Sequence, residues 1–365
     1  MTATMKAMVL TGHGGIDKLV YREDFPKPQP KAGEVLIRVC ACGLNNTDIN
    51  TRTGWYSQSA TGATNPETAA KSANEKDAAW GGKPLSFPLI QGADAVGIAE
   101  SVGEGVDDSI IGKRVMIDCW LRDKTEPHNA NKAGYFGSEC NGGFAEYTAV
   151  DARNVYPINS ALSDAELATF STSYLTAEQM LNRAKVGGDD IVLIIGASGG
   201  VGSALIQLAK RRGAKVIAMC AKDKAATMRA LLSPDAILPR APDDLSAALK
   251  AAGFDGISVV ADVVGGALFP QLINALQRRG RYVCSGAIAG AGVDMDLRIL
   301  YLRDLTLIGS TVTPPEVFPD VISYIEKAEI RPLLAKTFPL KQLPEAQQMF
   351  AAKKHIGNIA VVTGD

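Results

Sequence analysis

Hydrophobic residues follow two different rhythms along this chain. From residue 1 to about 155 they come in short, strand-sized pieces, "KAMVL", "EVLIRVCAC", "AVGIAESVG", "RVMIDCW" and "AEYTAV", separated by Gly and Pro. That pattern predicts a β-rich domain of barrel or sandwich type. From about 160 strands and helices alternate. "DIVLIIGA" reads as a strand, and residues 200–212 read as a helix because Val201, Ala204, Leu205, Leu208 and Ala209 recur at i, i+3, i+4, i+7 and i+8, with Gly213 as the stop. Then follow "KVIAMC" (strand), "KDKAATMRALL" (helix), "AILP" (short strand), "DDLSAALKAAG" (helix), "ISVVADVV" (strand), "ALFPQLINALQRRG" (helix) and "RYVCSGA" (strand). Such βα alternation predicts an α/β fold with a doubly wound parallel sheet. "DLTLIGSTVT" adds a strand near 310, and "NIAVV" near the C-terminus is a strand able to return to the first domain.

One segment breaks both rhythms. "SQSATGATNPETAAKSANEKDAAWGGKPLS", residues 57–86, is polar, rich in small residues and aperiodic. It reads as a mobile surface insertion or as a flap over a site, since long loops in compact domains are often lids.

The 365 residues, 46% hydrophobic and 21% charged, suffice for two globular domains. A formal net charge of -1 gives no reason to expect nucleic acid or an anionic membrane surface as partner, so a small molecule is the expected ligand. No run is long enough to span a membrane and the N-terminus lacks a signal-peptide pattern, which points to the cytoplasm. The six cysteines, Cys40, Cys42, Cys119, Cys140, Cys220 and Cys284, are too scattered for a disulfide scaffold and read as reduced thiols.

The chemistry concentrates at "GASGGVGSALIQLAKRRG", residues 196–213, a glycine-rich turn running into a helix. Between a strand and a helix this matches the dinucleotide fingerprint: Ala197 takes the first glycine place, Gly199 and Gly202 the second and third, with Ser198, Gly200 and Val201 between them. Phosphates would sit on backbone amides at the helix start. The other reading is a tight structural turn. At the end of the next strand, where an Asp or Glu would bind a ribose 2′-hydroxyl, the chain offers Cys220 and Ala221, then Lys222 and Lys224. A small residue with nearby ammonium groups accepts a 2′-phosphate, which points to NADPH. Asp223 turning inward would argue otherwise, and the lysines also suit a solvated helix start.

With its β-rich front, the "GASGGVG" turn and the closing "HIGNIAVV", the chain resembles the medium-chain dehydrogenase/reductase superfamily. The resemblance implies a GroES-like catalytic domain over 1–160 and 312–365 and a Rossmann domain over 161–311. Zinc-using members carry a Cys in a "GxCxxD"-like stretch, a His in a "GHE"-like stretch and a further ligand. Here "GLNNTD" puts Asn45 at the Cys place, "QGADAVG" puts Ala93 and Asp94 at the His and Glu places, and Thr172 falls near the third. An amide, a methyl and a hydroxyl are not the thiolate, imidazole or carboxylate ligands of zinc, so no metal is expected. Residues 121–142 hold only Cys140, so the cysteine-rich structural-zinc lobe is missing too.

The resemblance is then to the zinc-independent branch, the quinone oxidoreductases and 2-enoyl thioester reductases. "NNTDINTRTGWY" is similar to the enoyl reductases' Asn-x-x-Asp stretch ending in Tyr, which implies Asn45 and Asp48 beside the nicotinamide and Tyr56 facing the substrate as proton donor. Bland alternatives are a helix cap for Asp48, a turn partner for Asn45 and a surface aromatic for Tyr56. Thr176 in "YLTAEQML" resembles the family threonine near the nicotinamide. Gly286, Ala287 and Ile288 resemble the strand end that holds the carboxamide, and Asn358 sits in the closing "IGN". A homodimer through Rossmann sheet edges is implied as well. The expectation is an NADPH-dependent reductase of a quinone or an activated C=C bond. Its rivals are an alcohol or aldehyde dehydrogenase and a non-catalytic NADPH-binding sensor or crystallin-like protein.

Overall fold

The computed structural model describes residues 3–364. The chain forms two compact units, one from the residues up to Thr172 together with those from Pro314 onward, the other from Ser173–Thr313.

The first unit is built around the strand Glu34–Gly43. Its alternating apolar residues Val35, Ile37 and Val39 are buried, and it pairs antiparallel with Asp94–Val102, Tyr147–Asp151 and Asn358–Val362. The C-terminal strand thus completes the sheet begun near the N-terminus, with Val361 opposite Cys42. Leu10, Ile37, Ile90, Phe136 and Phe144 form part of one buried apolar cluster. Each large side chain so buried contributes roughly 1.5–3 kcal/mol.

The second unit carries a six-stranded sheet ordered Ala236–Pro239, Lys215–Cys220, Ile191–Ile194, Ile257–Asp262, Leu276–Cys284, Thr306–Gly309, with every pairing parallel. In chain order this is 3-2-1-4-5-6, the Rossmann arrangement, whose ligand crevice opens beyond the carboxyl end of the first strand, where the order reverses. The helix Gly200–Arg211 leaves that end and buries Ala204, Leu205, Leu208 and Ala209, as its periodicity predicts. The α/β class and both domain types are therefore as expected.

Two local expectations change. The helix predicted through "ALFPQLINALQRRG" ends at Ala275, because Leu276 pairs with Ile257 and Arg281 with Val259, and the residues between bulge out with Arg279 at φ 62°. Strand pairing across the sheet overrides the local helical pattern. Residues 57–86, besides lacking long elements, are anchored. Arg52, fully buried, donates to the carbonyls of Gly14 (2.9 Å) and Pro66 (3.1 Å) and to Gln347 Oε1 (3.2 Å), and Ala70 N–H donates to the Thr53 carbonyl at 2.7 Å. Among the described residues no helix is long and apolar enough to cross a membrane.

Candidate active site

In the first unit the helix Asn46–Thr53 organises the site. Asn45 precedes it in an extended conformation, and Asp48 reaches back so that its Oδ2 accepts the Asn45 N–H at 2.7 Å. Gly54 ends it in the left-handed region. Asp48 does cap the helix, but the cap is buried at 3% exposure, and this sets its acidity. Burial pushes the carboxyl up to about 8 against the pull of the Asn45 N–H, and the charge of Asp94 adds to the rise. Gln91, also buried, donates from Nε2 to the Asp48 carbonyl at 2.9 Å, and its Oε1 has no partner.

Asp94 opens the strand Asp94–Val102 next to the buried methyl of Ala93. Its Oδ1 accepts the backbone N–H of Thr172 at 2.8 Å and the Thr172 hydroxyl at 2.5 Å, and Thr172 Oγ1 lies 2.7 Å from the hydroxyl of Tyr135. Burial raises the Asp94 carboxyl to about 6, opposed by Thr172 and the neighbouring Asn45 amide. Asn45 and Asp94, both buried, and the half-buried Thr172, remote in sequence, therefore gather into one polar cluster. Among the described residues no group of three or more His, Cys, Asp or Glu could hold a metal ion.

Tyr135 was not legible as a site residue. It pairs with Trp120 across a two-strand ribbon, and its ring stands 5.1 Å from that of Trp120 and 6.3 Å from that of Trp80, with Trp80 contributed by the 57–86 segment. No local pattern in the sequence singles it out.

Tyr56 lies just beyond the helix, half-buried, with its ring 6.1 Å from that of Trp55. Burial raises its phenol, while the side chains of Thr47 and Asn50 pull it down and the charge of Asp48 pushes it up, so Tyr56 shares the Asp48 neighbourhood. Asn358 is buried at the start of its strand, 3.5 Å from the Thr169 carbonyl.

In the second unit the glycine turn obeys strict steric demands. Gly196 has φ +69°, and a Cβ at Gly202 would stand 2.3 Å from the Gly196 carbonyl oxygen and 2.6 Å from Ala197 Cα. The first obligatory glycine is thus Gly196, one residue ahead of the place assigned to Ala197, and only its positive φ reveals it. Ala197 is held by its N–H to the Met219 carbonyl at 3.1 Å, and the helix begins at Gly200 with Gly199 as its extended cap. A Cβ at Gly199 would meet only the Gly196 carbonyl oxygen, at an ordinary contact distance of 3.6 Å, so the turn is not crowded before the first N–H groups of the helix. That arrangement, amides of Gly200, Val201 and Gly202 at a helix start with nothing crowding the approach, fits a pyrophosphate.

The lysines divide. Lys222 is exposed, whereas Lys224 is buried at 8% exposure and places Nζ 3.4 Å from Ser198 Oγ of the glycine turn. Its ammonium pKa is lowered by burial, with Asp223 opposing. Asp223 is exposed and Ala221, half-buried, precedes the single turn Lys222–Lys224. Gly286, Ala287 and Ile288 are half-buried beyond the strand Leu276–Cys284, and Thr176 is half-buried in the helix Ser171–Arg183. Sequence reasoning missed Asp262 here. It is fully buried, accepts from Val264 N–H (2.7 Å), Gly265 N–H (3.1 Å) and the Tyr282 hydroxyl (2.7 Å), and shapes the loop whose Val264 faces Gly196.

Comparison with known proteins agrees with this geometry. Residues 31–160 match the alcohol dehydrogenase GroES-like domain and residues 200–327 match the zinc-binding dehydrogenase domain. A solved structure of a putative alcohol dehydrogenase from Sinorhizobium meliloti 1021 is 43% identical and superposes with a TM-score of 0.89, covering 99% of this chain and 97% of the other. The acryloyl-coenzyme A reductase of Sulfurisphaera tokodaii is 26% identical over 98% of this chain and 99% of its own. The quinone oxidoreductase of Rattus norvegicus is 25% identical over 94% of this chain and 93% of its own. A GroES-like unit, a sheet in Rossmann order with its glycine turn and full-length similarity at 43% identity leave one assignment: the chain is an oxidoreductase of the medium-chain dehydrogenase/reductase superfamily, whose members work with a nicotinamide dinucleotide.

Proposed function

We propose that this protein is an NADPH-dependent, zinc-independent reductase of a quinone or of a C=C bond activated by a carbonyl, acting as a homodimer. The observation that carries the reading is the cluster at the metal-ligand positions. Asn45, Asp94 and Thr172 supply an amide, one carboxylate and a hydroxyl, and Thr172 spends its hydroxyl and its N–H on Asp94. Such a set serves hydrogen bonding better than zinc, which prefers thiolate and imidazole. The names of the acryloyl-coenzyme A reductase and quinone oxidoreductase relatives support the same class.

When bound, the reduced nicotinamide supplies the hydride. The chain's residues do the rest. The glycine turn holds the pyrophosphate, and Lys224 meets the 2′-phosphate with Lys222 in support. Thr176, Gly286, Ala287, Ile288 and Asn358 position the nicotinamide end, Asn45 and Asp48 stand by the reacting atoms, and Tyr56 gives a proton to the α-carbon of a reduced conjugated carbonyl. The 57–86 segment keeps water out.

An alcohol dehydrogenase is the second reading, favoured by the name of the Sinorhizobium meliloti structure. One experiment separates them: NADPH oxidation with enones, enoyl thioesters and quinones, and NADP⁺ reduction with alcohols, before and after chelation and with zinc content measured. Turnover of enones or quinones that survives chelation is the expected result. Alcohol oxidation lost with stoichiometric zinc would overturn it, and tight NADPH binding without turnover would indicate a sensor.

A further inference from the structure

The Thr172 hydroxyl carries one hydrogen yet sits between two oxygens, 2.5 Å from Asp94 Oδ1 and 2.7 Å from the Tyr135 hydroxyl. One hydrogen cannot serve both contacts, so the other must come from a neighbour, and the chain of bonds has a direction. With Asp94 ionised, Tyr135 donates to Thr172 and Thr172 to Asp94. With the proton on Asp94 Oδ1 both bonds reverse, and the Tyr135 hydrogen is freed to point at something else. The Thr172 N–H, at 2.8 Å, holds the carboxyl in place in either state.

Two further observations say what that something else is. Asn45, buried at 6% exposure, sets its side-chain amide beside the Asp94 carboxyl yet leaves its Nδ2 donor without a well-formed hydrogen bond. A donor left unpaired in a dry site costs about 1–3 kcal/mol unless a ligand completes it. The Tyr135 ring packs with those of Trp120 and Trp80, an aromatic neighbourhood compatible with a flat conjugated molecule. Both features call for an oxygen on a planar acceptor.

We propose that Tyr135, Thr172 and Asp94 form a proton relay to the carbonyl oxygen of a planar conjugated acceptor, doing by hydrogen bonding what a Lewis-acidic metal would otherwise do. The proposal rests on the reductase reading above. As hydride arrives at the electrophilic carbon, the C=C or C=O π electrons move onto oxygen. That oxygen takes the Tyr135 proton, Tyr135 takes the Thr172 proton, and Thr172 takes the proton of Asp94. With a conjugated carbonyl the product at this point is an enol. Tyr56 then protonates its α-carbon, the O–H proton returns along the chain to Asp94, and solvent restores Tyr56. With a quinone this gives the keto tautomer of the hydroquinone. The carbon that took the hydride then loses a proton to solvent, solvent protonates the second oxygen to give the hydroquinone, and solvent reprotonates Asp94. Each turnover thus consumes one hydride and one proton. Tyr135 is the catalytic residue of the relay, and Thr172 and Asp94 act through it.

The test compares Thr172→Val, Thr172→Ser and Tyr135→Phe in the full-length protein, with an enone and a quinone as acceptors. The relay predicts that Val and Phe each lower kcat by roughly 10²-fold for both acceptors, the scale of one general-acid contribution. NADPH affinity should stay at the wild-type value, and Ser should restore the rate to within about threefold, since it returns only the hydroxyl. The double variant Tyr135→Phe/Thr172→Val should be no slower than either single one, because both break the same chain. Wild-type rates in Val or Phe, failure of a folded Ser variant to recover, or multiplicative losses in the double variant would overturn the relay. If Val does not fold, the Phe and Ser variants decide. Wild-type protein that reduces neither acceptor would instead sink the reductase reading, before any variant is measured.

Discussion

Asp48 accepts the backbone N–H of Asn45 at 2.7 Å, a helix cap made by a carboxyl that is almost wholly buried. The geometry gives stability a definite pH dependence. An unfolded aspartate titrates near 3.9, whereas burial holds this one up to about 8. Between those values the folded protein keeps a proton that the unfolded chain releases, so the stability tied to Asp48 is full below about pH 4 and is lost as pH rises toward 8. Asp94, raised to about 6, adds to the slope in the lower part of that window. Asp48→Asn keeps an acceptor for the cap and cannot ionise. Denaturant unfolding from pH 5 to 8 should show wild type losing stability relative to the variant, by at most about 1.4 kcal/mol per pH unit. A constant gap would mean that Asp48 is charged in the fold.

Lys224 and Lys222 are expected to contribute unequally to cofactor choice, because only Lys224 turns toward Ser198 in the glycine turn. Lys224→Ala should weaken NADPH binding by ~1–3 kcal/mol, the scale of a hydrogen bond to a charged group, and leave NADH almost unchanged. Lys222→Ala should have the smaller effect. Titration of both cofactors checks this, and equal losses for NADPH and NADH would place the 2′-phosphate elsewhere.

Tyr56→Phe removes one hydroxyl and keeps the ring. With an enone or enoyl thioester it should lower kcat by roughly 10²-fold, because carbon protonation needs a positioned acid. With a quinone it should matter little, since no carbon is protonated. Steady-state rates with both acceptors decide: unchanged rates make Tyr56 a packing residue, and equal collapse with unchanged NADPH affinity makes it an acceptor-positioning one.

The proposed homodimer would use the edge of the sheet in the second unit. The strand Thr306–Gly309 is at the edge of the six-stranded sheet, and just before it Leu297, Tyr301 and Leu302 are 65%, 63% and 58% exposed. An open edge beside apolar side chains is a liability that a second copy would cover. Light scattering should give twice the chain mass for wild type and the monomer mass for Tyr301→Glu/Leu302→Glu. A wild-type monomer at micromolar concentration would refute the interface.

The sequence alone determined whatever depends on short-range order. Period-two and period-3.6 patterns separate the β-rich unit from the alternating one, and a glycine-rich turn between a strand and a helix has few other uses. Asn45, Asp48 and Tyr56 lie within twelve residues, so their neighbourhood is local too. Tertiary structure decided the rest, for reasons no local pattern contains. Tyr135 and Thr172 are 37 residues apart and meet because a two-strand ribbon and a helix start converge on Asp94. Gly196 is obligatory because of its positive φ and the packing of Val264 against it. Lys224 rather than Lys222 turns inward because a single helical turn sets which side chain is buried. The acidity of Asp48 and Asp94 follows from desolvation, a property of everything packed around a carboxyl and of nothing beside it in the chain.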